Sequence, residues 1–337
     1  MQQQQQQQQQ NRQSWTRTDK SEERHKGSFP LEEITASDEY KNREVPANTF
    51  KRKYALCFGY LGTAYQGLQI NPGACTVERE LEKALLLSGG LSKANFGHLH
   101  KISFSRAGRT DRGVHAVTQC CAMKLEFPLG AASRDAFLAR LNRALPTDIR
   151  ALAATKVSKA FNSKNFCTHR RYQYLLPTYA LMPALQMNAL LQRHFDKQGP
   201  VEGAAHAGGY VEASSGGELG AEALRRVHAE LRQFRVAPEQ LAALRKALAE
   251  FQGTHPMHNF TSGKHPLDQD AKRYILHFTC GEPYIPLTAD GEEAAGVEYV
   301  LLEVLGQSFL LHQIRKMVAL AAEVGRGAAP LRTVRDA

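Results

Sequence analysis

The sequence lacks the patterns that mark several common protein classes. No apolar run among its 337 residues approaches the length of about eighteen that a membrane-spanning helix needs. The N-terminus has no apolar segment of the kind found in signal peptides. Neither a P-loop nor a G-x-G-x-x-G dinucleotide motif occurs. We therefore expect no membrane segment and no nucleotide cofactor.

Cysteine is present, but not in a pattern that indicates metal binding. None of the six cysteines forms a C-x-x-C pair, and no cysteine–histidine cluster has zinc spacing. We expect no metal and interpret all six as reduced thiols of an intracellular protein. The adjacent Cys120 and Cys121 lie in a strand-like run, so their side chains should point to opposite faces of a sheet. The six are Cys57, Cys75, Cys120, Cys121, Cys167 and Cys280.

The formal net charge of +10 lies in the body of the chain. Residues 1–50 hold 7 Lys or Arg and 8 Asp or Glu, which leaves +11 for the remainder. A basic globular body favours a polyanionic partner such as nucleic acid. Solubility alone is the alternative explanation of this charge.

Low-complexity segments divide the chain. Residues 2–10 are a polyglutamine tract, and we expect the whole of residues 1–50 to be a disordered arm. Acidic residues in this arm argue against a mitochondrial transit peptide. Residues 51–180 and 181–337 each mix strand-like and helix-like patterns, and we interpret them as an N-terminal and a C-terminal half-domain. Seven glycines among residues 199–220 indicate a flexible insertion in the second half.

Apolar periodicity predicts individual elements in both halves. Residues 54–60 have the pattern of a strand, and Thr76 is a candidate N-cap for the helix that follows it. In the second half, apolar residues from Leu241 to Phe251 share one helical face. Strands are expected at residues 273–279 and 297–305.

The most informative stretch is residues 108–116, which read GRTDRGVHA. Asp111 lies in a glycine-bracketed turn between Arg109 and Arg112, with strand-like runs on both sides. A nearby positive charge favours the ionised form of a carboxyl group. An ionised, oriented carboxylate can act as a nucleophile. The alternative is an aspartate that caps the turn and has no chemical role.

These residues resemble the signature loop of the TruA class of tRNA pseudouridine synthases, in which Arg-Thr-Asp is followed by a variable residue, Gly and Val. The resemblance is closest to the eukaryotic multisite branch, which acts in the nucleus and the mitochondrion, and it covers roughly residues 51–325. The further segments that carry it are FNSKN at 161–165, RYQYLLPT at 171–178, HNFTS at 258–262, RYIL at 273–276, GQSF at 306–309 and HQIRKMV at 312–318.

The resemblance implies an α+β fold in which two α/β half-domains share a mixed, largely antiparallel central sheet with a basic catalytic cleft. It implies that Asp111 is the nucleophile, that Tyr172 stacks on the target base, and that Arg315 pairs with the aspartate. Arg109 matches a family residue that contacts the RNA strand, and His115 is interpreted as structural or RNA-facing. Arg112 keeps the positive charge that the eukaryotic branch has at this position, and it is a further candidate RNA contact. The remaining candidates, each of which could equally be a solvated surface charge, are Lys164, Arg170, Arg171 and Lys316.

Arg315 also has a helical-periodicity argument of its own. If residues 308–324 form a helix, Ile314 and Val318 lie on its apolar face and Arg315 lies at the edge of that face. A charge there needs a partner, or a side chain that extends to water. An ion pair with Asp111 is the interpretation that the resemblance favours.

The activity implied is the isomerisation of uridine to pseudouridine in folded tRNA, with small nuclear or messenger RNA as further candidate substrates. No cofactor is implied. The alternative is a non-catalytic tRNA-binding or chaperone protein on the same fold. A phosphotransferase with an aspartate nucleophile is disfavoured, because such enzymes need further acids for Mg²⁺ and the next acidic residue after Asp111 is Glu126.

Location and assembly follow less directly from the sequence. We expect a nuclear protein, with the mitochondrion and the cytoplasm as alternatives, and the choice between monomer and dimer stays open. The family's chain continues past the helix of Arg315 into a segment that helps to close the pocket. We therefore expect this chain to be truncated at its C-terminus.

Overall fold

Two compact units make up the chain. The first ends at Cys167 and the second begins at Thr168, whereas the sequence analysis placed this division after residue 180. The strand Arg170–Pro177 accounts for the difference, because it pairs with the strand Tyr299–Gly306 and so belongs to the second unit. The computed structural model describes residues 29–43, 49–127, 131–195, 218–287 and 296–337.

Within these ranges the chain forms ten α-helices and eight strands. The helices are α1 (Leu31–Ala36), α2 (Asp38–Lys41), α3 (Val77–Leu87), α4 (Ala131–Ala144), α5 (Ser163–Phe166), α6 (Ala184–Phe195), α7 (Glu218–Gln233), α8 (Pro238–Ala249), α9 (Gln313–Gly325) and α10 (Arg332–Asp336). The strands are β1 (Phe50–Tyr60), β2 (Ser105–Arg106), β3 (Ala116–Phe127), β4 (Ile149–Lys156), β5 (Arg170–Pro177), β6 (Gly253–Pro256), β7 (Lys272–Cys280) and β8 (Tyr299–Gly306).

The first unit is built on an antiparallel sheet with the strand order β2-β3-β1-β4. Successive residues of a strand point to opposite faces, so alternate side chains of β1 and β3 enter the core. Leu56, Phe58, Met123 and Leu125 are fully buried there. Helices α3 and α4 supply further apolar side chains, such as Leu81, to the same core. The helices therefore cover one face of the sheet.

The prediction that residues 1–50 form a disordered arm is wrong for residues 29–43. Helices α1 and α2 lie there, and their Ile34 and Tyr40 are buried in the core of the first unit. The guanidinium of Arg79 lies 3.9 Å from the ring centroid of Phe29. Apolar burial and this cation–π contact stabilise a segment whose composition alone indicates disorder. The polyglutamine tract lies outside the described residues.

The second unit has its own antiparallel sheet, with the strand order β5-β8-β7-β6. Helices α8 and α9 pack with this sheet, and their Leu244 and Met317 are fully buried together with Ile275 of β7. The predicted helix through Leu241 is α8, and the predicted strands at residues 273–279 and 297–305 are β7 and β8. The two strands are confirmed to within two residues at each end, and α8 is confirmed with its start three residues before Leu241 and its end two residues before Phe251.

The α+β prediction is confirmed. All described strand pairs are antiparallel, and each pair lies within one unit. The strands therefore form two four-stranded sheets, whereas the resemblance implied one central sheet shared by both halves. Across the described ranges, every helix is too short or too polar to traverse a bilayer. Most of the predicted insertion, residues 199–217, lies outside the described residues. Its last three residues, 218–220, form the start of α7.

Candidate active site

The loop that carries Asp111 connects β2 to β3. It spans residues 107–115, and its first amide, Ala107 N, donates a hydrogen bond to the carbonyl oxygen of Cys120 at 2.9 Å. Val114 N donates to the carbonyl oxygen of Asp111 at 3.2 Å, and Gly113 has φ of +76°. These bonds close a tight turn at the aspartate, whose side chain is half-buried.

A second backbone segment, Gly62–Leu68, braces this loop along its length, and we call it the bracing segment. Its Leu68 N donates to the carbonyl oxygen of Thr110 at 3.2 Å. Its Tyr65 carbonyl oxygen accepts from Gly113 N, also at 3.2 Å. The backbone is therefore fixed on both sides of Asp111. These two attachments hold the Asp111 side chain at a defined place on the first unit.

Two buried glycines allow the bracing segment to approach so closely. A Cβ atom on Gly62 would overlap the carbonyl oxygen of Val114, and one on Gly67 would lie 2.8 Å from the carbonyl oxygen of Thr110. Gly67 also has φ of +101°, a conformation that residues with a side chain rarely adopt. The pair of glycines is thus explained by contact with the Asp111 loop.

Two tyrosine hydroxyls fix the same region from within. Tyr60 Oη and Thr110 Oγ1 are hydrogen-bonded at 2.7 Å. The hydroxyl of the buried Tyr65 donates to Asp148 Oδ1 at 2.7 Å. Burial, followed by the bond to Asp148, raises the pKa of Tyr65 well above its usual value. Tyr65 therefore stays protonated and acts as a hydrogen-bond donor.

The N-terminus of α3 anchors the bracing segment. Val77 N donates to the carbonyl oxygen of Gly67 at 3.2 Å, and Glu78 N donates to that of Leu68 at 2.9 Å. The predicted N-cap, Thr76, is at the cap position, but its side chain makes no cap hydrogen bond. Carbonyl groups of the bracing segment accept these hydrogen bonds instead, so the bracing segment joins helix α3 to the Asp111 loop.

A buried ion pair ties α3 to β2 as well. Both carboxylate oxygens of Glu78 accept hydrogen bonds from the guanidinium of Arg106, one of them at 2.9 Å, and Ile70 N donates to the same carboxylate at 3.1 Å. Glu78 is 2% exposed. Burial raises the pKa of Glu78, while the charge of Arg106 opposes that shift. Sequence reasoning missed this pair, because neither residue lies in a motif.

The basic side chains of the loop lie on the surface of the first unit. Arg109, Arg112 and His115 are all exposed. His115 Nδ1 accepts a hydrogen bond from Gly62 N at 3.2 Å, so the neutral ring carries its proton on Nε2. Lys164, on the short helix α5, is exposed too. The first unit thus brings three of the predicted RNA contacts into one loop with Asp111.

Tyr172 lies in the second unit, on β5 opposite Val304 of β8. Its ring is half-buried and meets the ring of Phe309 edge to face, with the centroids 5.3 Å apart and an interplanar angle of 87°. This is a favoured geometry for aromatic pairs. Phe309 was part of a quoted motif, but sequence reasoning gave it no role.

Arg315 is exposed in the first turn of α9. The helix begins at Gln313 and not at residue 308 as expected. His312 has φ of +59°, which is incompatible with a continuous helix, and Gln313 Oε1 accepts from Leu310 N at 2.7 Å. The edge position predicted for Arg315 is therefore on the solvent side of the helix.

Three other predicted RNA contacts of the second unit already have protein partners. The guanidinium of Arg170 donates to the carbonyl oxygen of Gln307, and Arg171 forms an exposed ion pair with Glu303 at 3.7 Å. Lys316 Nζ donates to the carbonyl oxygen of Thr261 at 2.8 Å. Lys316 therefore helps to hold the HNFTS segment against the start of α9.

Comparison with known proteins identifies relatives for most of the chain. A family model described as tRNA pseudouridine synthase matches residues 247–337. The chain is similar to tRNA pseudouridine synthase 1 of Kluyveromyces lactis, with 34% identity over 85% of this chain and 56% of the relative. It is similar to the pseudouridylate synthase 1 homolog of Mus musculus, with 33% identity over 94% of this chain and 60% of the relative.

A third relative, tRNA pseudouridine synthase 1 of Saccharomyces cerevisiae, is 30% identical over 85% of this chain and 57% of its own length. The chain thus spans a little more than half the length of the curated relatives it matches.

Proposed function

We propose that the chain belongs to the TruA class of tRNA pseudouridine synthases and converts uridine to pseudouridine in tRNA, because a family model of tRNA pseudouridine synthases and curated relatives 30–34% identical match it. In this reaction the glycosidic bond between N1 of uracil and C1′ of ribose breaks, the base turns, and C5 bonds to C1′. The hydrogen on C5 leaves as a proton, and N1 gains a proton. No net oxidation or reduction occurs.

The placement of Asp111 is the observation that carries this proposal. Its carboxylate belongs to a loop whose backbone is bonded to the bracing segment at Thr110 and at Gly113. We propose that Asp111 makes the first attack, at C1′ or at the uracil ring, or assists elimination from the sugar. Each of these steps needs an ionised carboxylate held in one place.

Tyr172 and Arg315 are proposed to complete the site. A uracil that leaves the RNA stack needs an aromatic surface, and the ring of Tyr172 is held by Phe309 at its edge. Arg315 is exposed, so its guanidinium is accessible to an acidic partner. The family resemblance supports Asp111 as that partner, where the guanidinium would keep the carboxylate ionised.

The candidate basic residues divide into two groups as RNA contacts. Arg109, Arg112 and Lys164 have exposed side chains and are proposed to bind phosphate or sugar groups of tRNA, with His115 beside them. Arg170, Arg171 and Lys316 each have a protein partner and are proposed to bind RNA with their remaining donors. We propose a nuclear location, on the resemblance to the nuclear and mitochondrial branch of the family.

Replacement of the proposed nucleophile tests the function directly. The purified protein is incubated with unmodified tRNA transcripts, and pseudouridine is mapped along the RNA. We expect Asp111→Asn to lower turnover by at least about a thousandfold, because removal of a nucleophile abolishes the covalent step. Affinity for tRNA should stay close to that of the wild type, because the substitution keeps the shape of the side chain.

A matched control is Asp135→Asn, which makes the same chemical change at an exposed position of α4. This variant should retain wild-type turnover. If Asp111→Asn kept appreciable activity, Asp111 could not be the nucleophile. If the wild type bound tRNA and formed no pseudouridine, the non-catalytic tRNA-binding alternative would replace the proposal.

A further inference from the structure

Two cysteines of the first unit face each other across neighbouring strands. Cys57 of β1 is the direct register partner of Cys120 of β3. Directly opposite residues of an antiparallel pair have Cβ atoms about 4.5–5.5 Å apart on the same face. A disulfide needs a Cβ separation of about 3.5–4.5 Å, so a small movement would bring the two sulfurs into bonding distance. Cys121 points to the opposite face and is fully buried.

A chain of hydrogen bonds links this pair to a serine. The side chains of Cys57 and Cys120 are hydrogen-bonded to each other, and Ser163 Oγ lies 3.8 Å from Cys120 Sγ. The hydrogen bond between the two side chains lowers the pKa of Cys57 below its ordinary value, which favours Cys57 as the nucleophile of the pair. Both cysteines are only half-buried, so a small reagent can reach them.

The strand can adjust at this point. The β1–β4 register shifts between Cys57 and Phe58, and the β1–β3 register shifts between Phe58 and Tyr60. Such irregularities bend a strand and interrupt its ladder. The backbone beside Cys57 is therefore less constrained than that of a regular central strand.

We propose that Cys57 and Cys120 form a peroxide-reactive dithiol site. The Cys57 thiolate attacks one oxygen of hydrogen peroxide, the O–O bond breaks, and Cys57 becomes a sulfenic acid while hydroxide leaves and takes up a proton. The Cys120 thiol loses its proton and attacks the Cys57 sulfur, and the sulfenic oxygen departs as water. One peroxide is reduced to two waters, and two thiols are oxidised to one disulfide.

The site is connected to the Asp111 loop. The Cys120 carbonyl oxygen accepts from Ala107 N, and Gln119 Nε2 donates to the carbonyl oxygen of Gly108 at 3.4 Å. Movement of Cys120 towards Cys57 would disturb the strand that fixes the start of the loop. We therefore expect oxidation to lower pseudouridine formation, an effect that rests on the proposed function. The oxidation of the two thiols does not depend on that function.

The test uses the wild-type protein. The protein is treated with hydrogen peroxide, free thiols are alkylated, and the peptides are analysed by mass spectrometry before and after reduction. We expect loss of the two thiols at Cys57 and Cys120, one disulfide-linked peptide pair that joins them, and full recovery with dithiothreitol. Without peroxide, Cys57 should be alkylated faster than Cys75, which is more exposed but whose pKa is raised by burial.

Single variants then separate the roles of the two thiols. Cys120→Ser should leave a sulfenic acid on Cys57 that dimedone traps, and Cys57→Ser should leave Cys120 unreacted. Cys75→Ser is the matched control and should oxidise like the wild type. Oxidation at other cysteines in place of this pair, or alkylation of Cys57 no faster than that of Cys75, would overturn the proposal. Both outcomes are read on the wild type, so the test holds even if a variant fails to fold.

Discussion

At the scale of single residues, the candidate site depends on how closely two backbone segments approach each other. Gly67 lies against the carbonyl oxygen of Thr110, one residue before Asp111. Leu68 N donates to the same oxygen at 3.2 Å. The position of the carboxylate is therefore set by backbone atoms, and a single methyl group at Gly67 would displace them.

We predict that Gly67→Ala lowers both stability and activity. Alanine at positive φ costs about 1–2 kcal/mol, and the new Cβ would also push the Thr110 carbonyl group. Pseudouridine formation should fall by about tenfold or more, because a displacement of about 1 Å can reduce catalysis about 100-fold. Chemical denaturation and single-turnover kinetics on tRNA measure the two effects.

Gly73→Ala is the control for this substitution. Gly73 also has positive φ, at +70°, but a Cβ there would meet nothing within 4 Å. The control should lose a similar amount of stability and keep its activity. Equal losses of activity in the two variants would show that the contact with Thr110 is unimportant.

Some of these residue positions follow from the sequence and others do not. The loop motif placed Asp111 between two arginines in a turn. The bond from Lys316 to the Thr261 carbonyl oxygen could not be predicted. Backbone carbonyl groups are the same at every residue, so a sequence pattern carries no information about which of them a lysine will reach.

At the scale of elements, the first turn of α3 links the bracing segment to β2. The buried pair of Glu78 and Arg106 makes that link. Breaking a buried ion pair by removing one partner is costly, because the other charge is left without compensation in the interior. The helix, the strand and the loop between β2 and β3 should therefore lose their alignment together.

We predict that Arg106→Met destabilises the protein by about 3–5 kcal/mol at neutral pH. Without the guanidinium, burial raises the pKa of Glu78 further above its unfolded value, which is about 4.3. The folded state then favours the protonated acid, so the destabilisation is largest above the folded pKa. It should shrink as the pH falls towards about 4, where the unfolded state is protonated too. Urea denaturation across this pH range measures the effect.

Arg226→Met serves as the control for an exposed pair. Arg226 pairs with Glu222 at 3.2 Å on the surface of α7, with the two side chains 64% and 47% exposed. Such pairs contribute about 0.3–0.5 kcal/mol. A loss of that small size in Arg106→Met would mean that the Glu78 pair behaves as a surface pair.

Element prediction succeeded where periodicity was strong and failed where tertiary contacts decide. The apolar residues from Leu241 to Phe251 predicted helix α8 correctly, because their spacing places them on one side only if the segment is helical. Residues 29–43 were misassigned because their polar composition resembles a disordered segment, while two short helices bury Ile34 and Tyr40. The start of α9 was misplaced because the left-handed His312 has no signal in an apolar pattern.

At the scale of the whole molecule, charge is the dominant property. Residues 51–337 carry a net charge of +11, and Arg109 and Arg112 place part of it beside Asp111. A polyanionic substrate releases counterions when such side chains bind its phosphates. Affinity for tRNA should therefore fall steeply as the salt concentration rises.

We predict that the location of the charge matters more than its sum. The double variant Arg109→Gln/Arg112→Gln should bind tRNA more weakly, with the log–log salt slope reduced by about 0.7–0.9 for each phosphate contact that is lost. Arg225→Gln/Arg226→Gln removes the same charge from α7, where both side chains already pair with Glu222. That control should leave the slope unchanged, as filter binding over a salt series would measure. If both doubles lowered the slope equally, net charge alone would govern binding, and the arginines beside Asp111 would have no special part in holding the RNA.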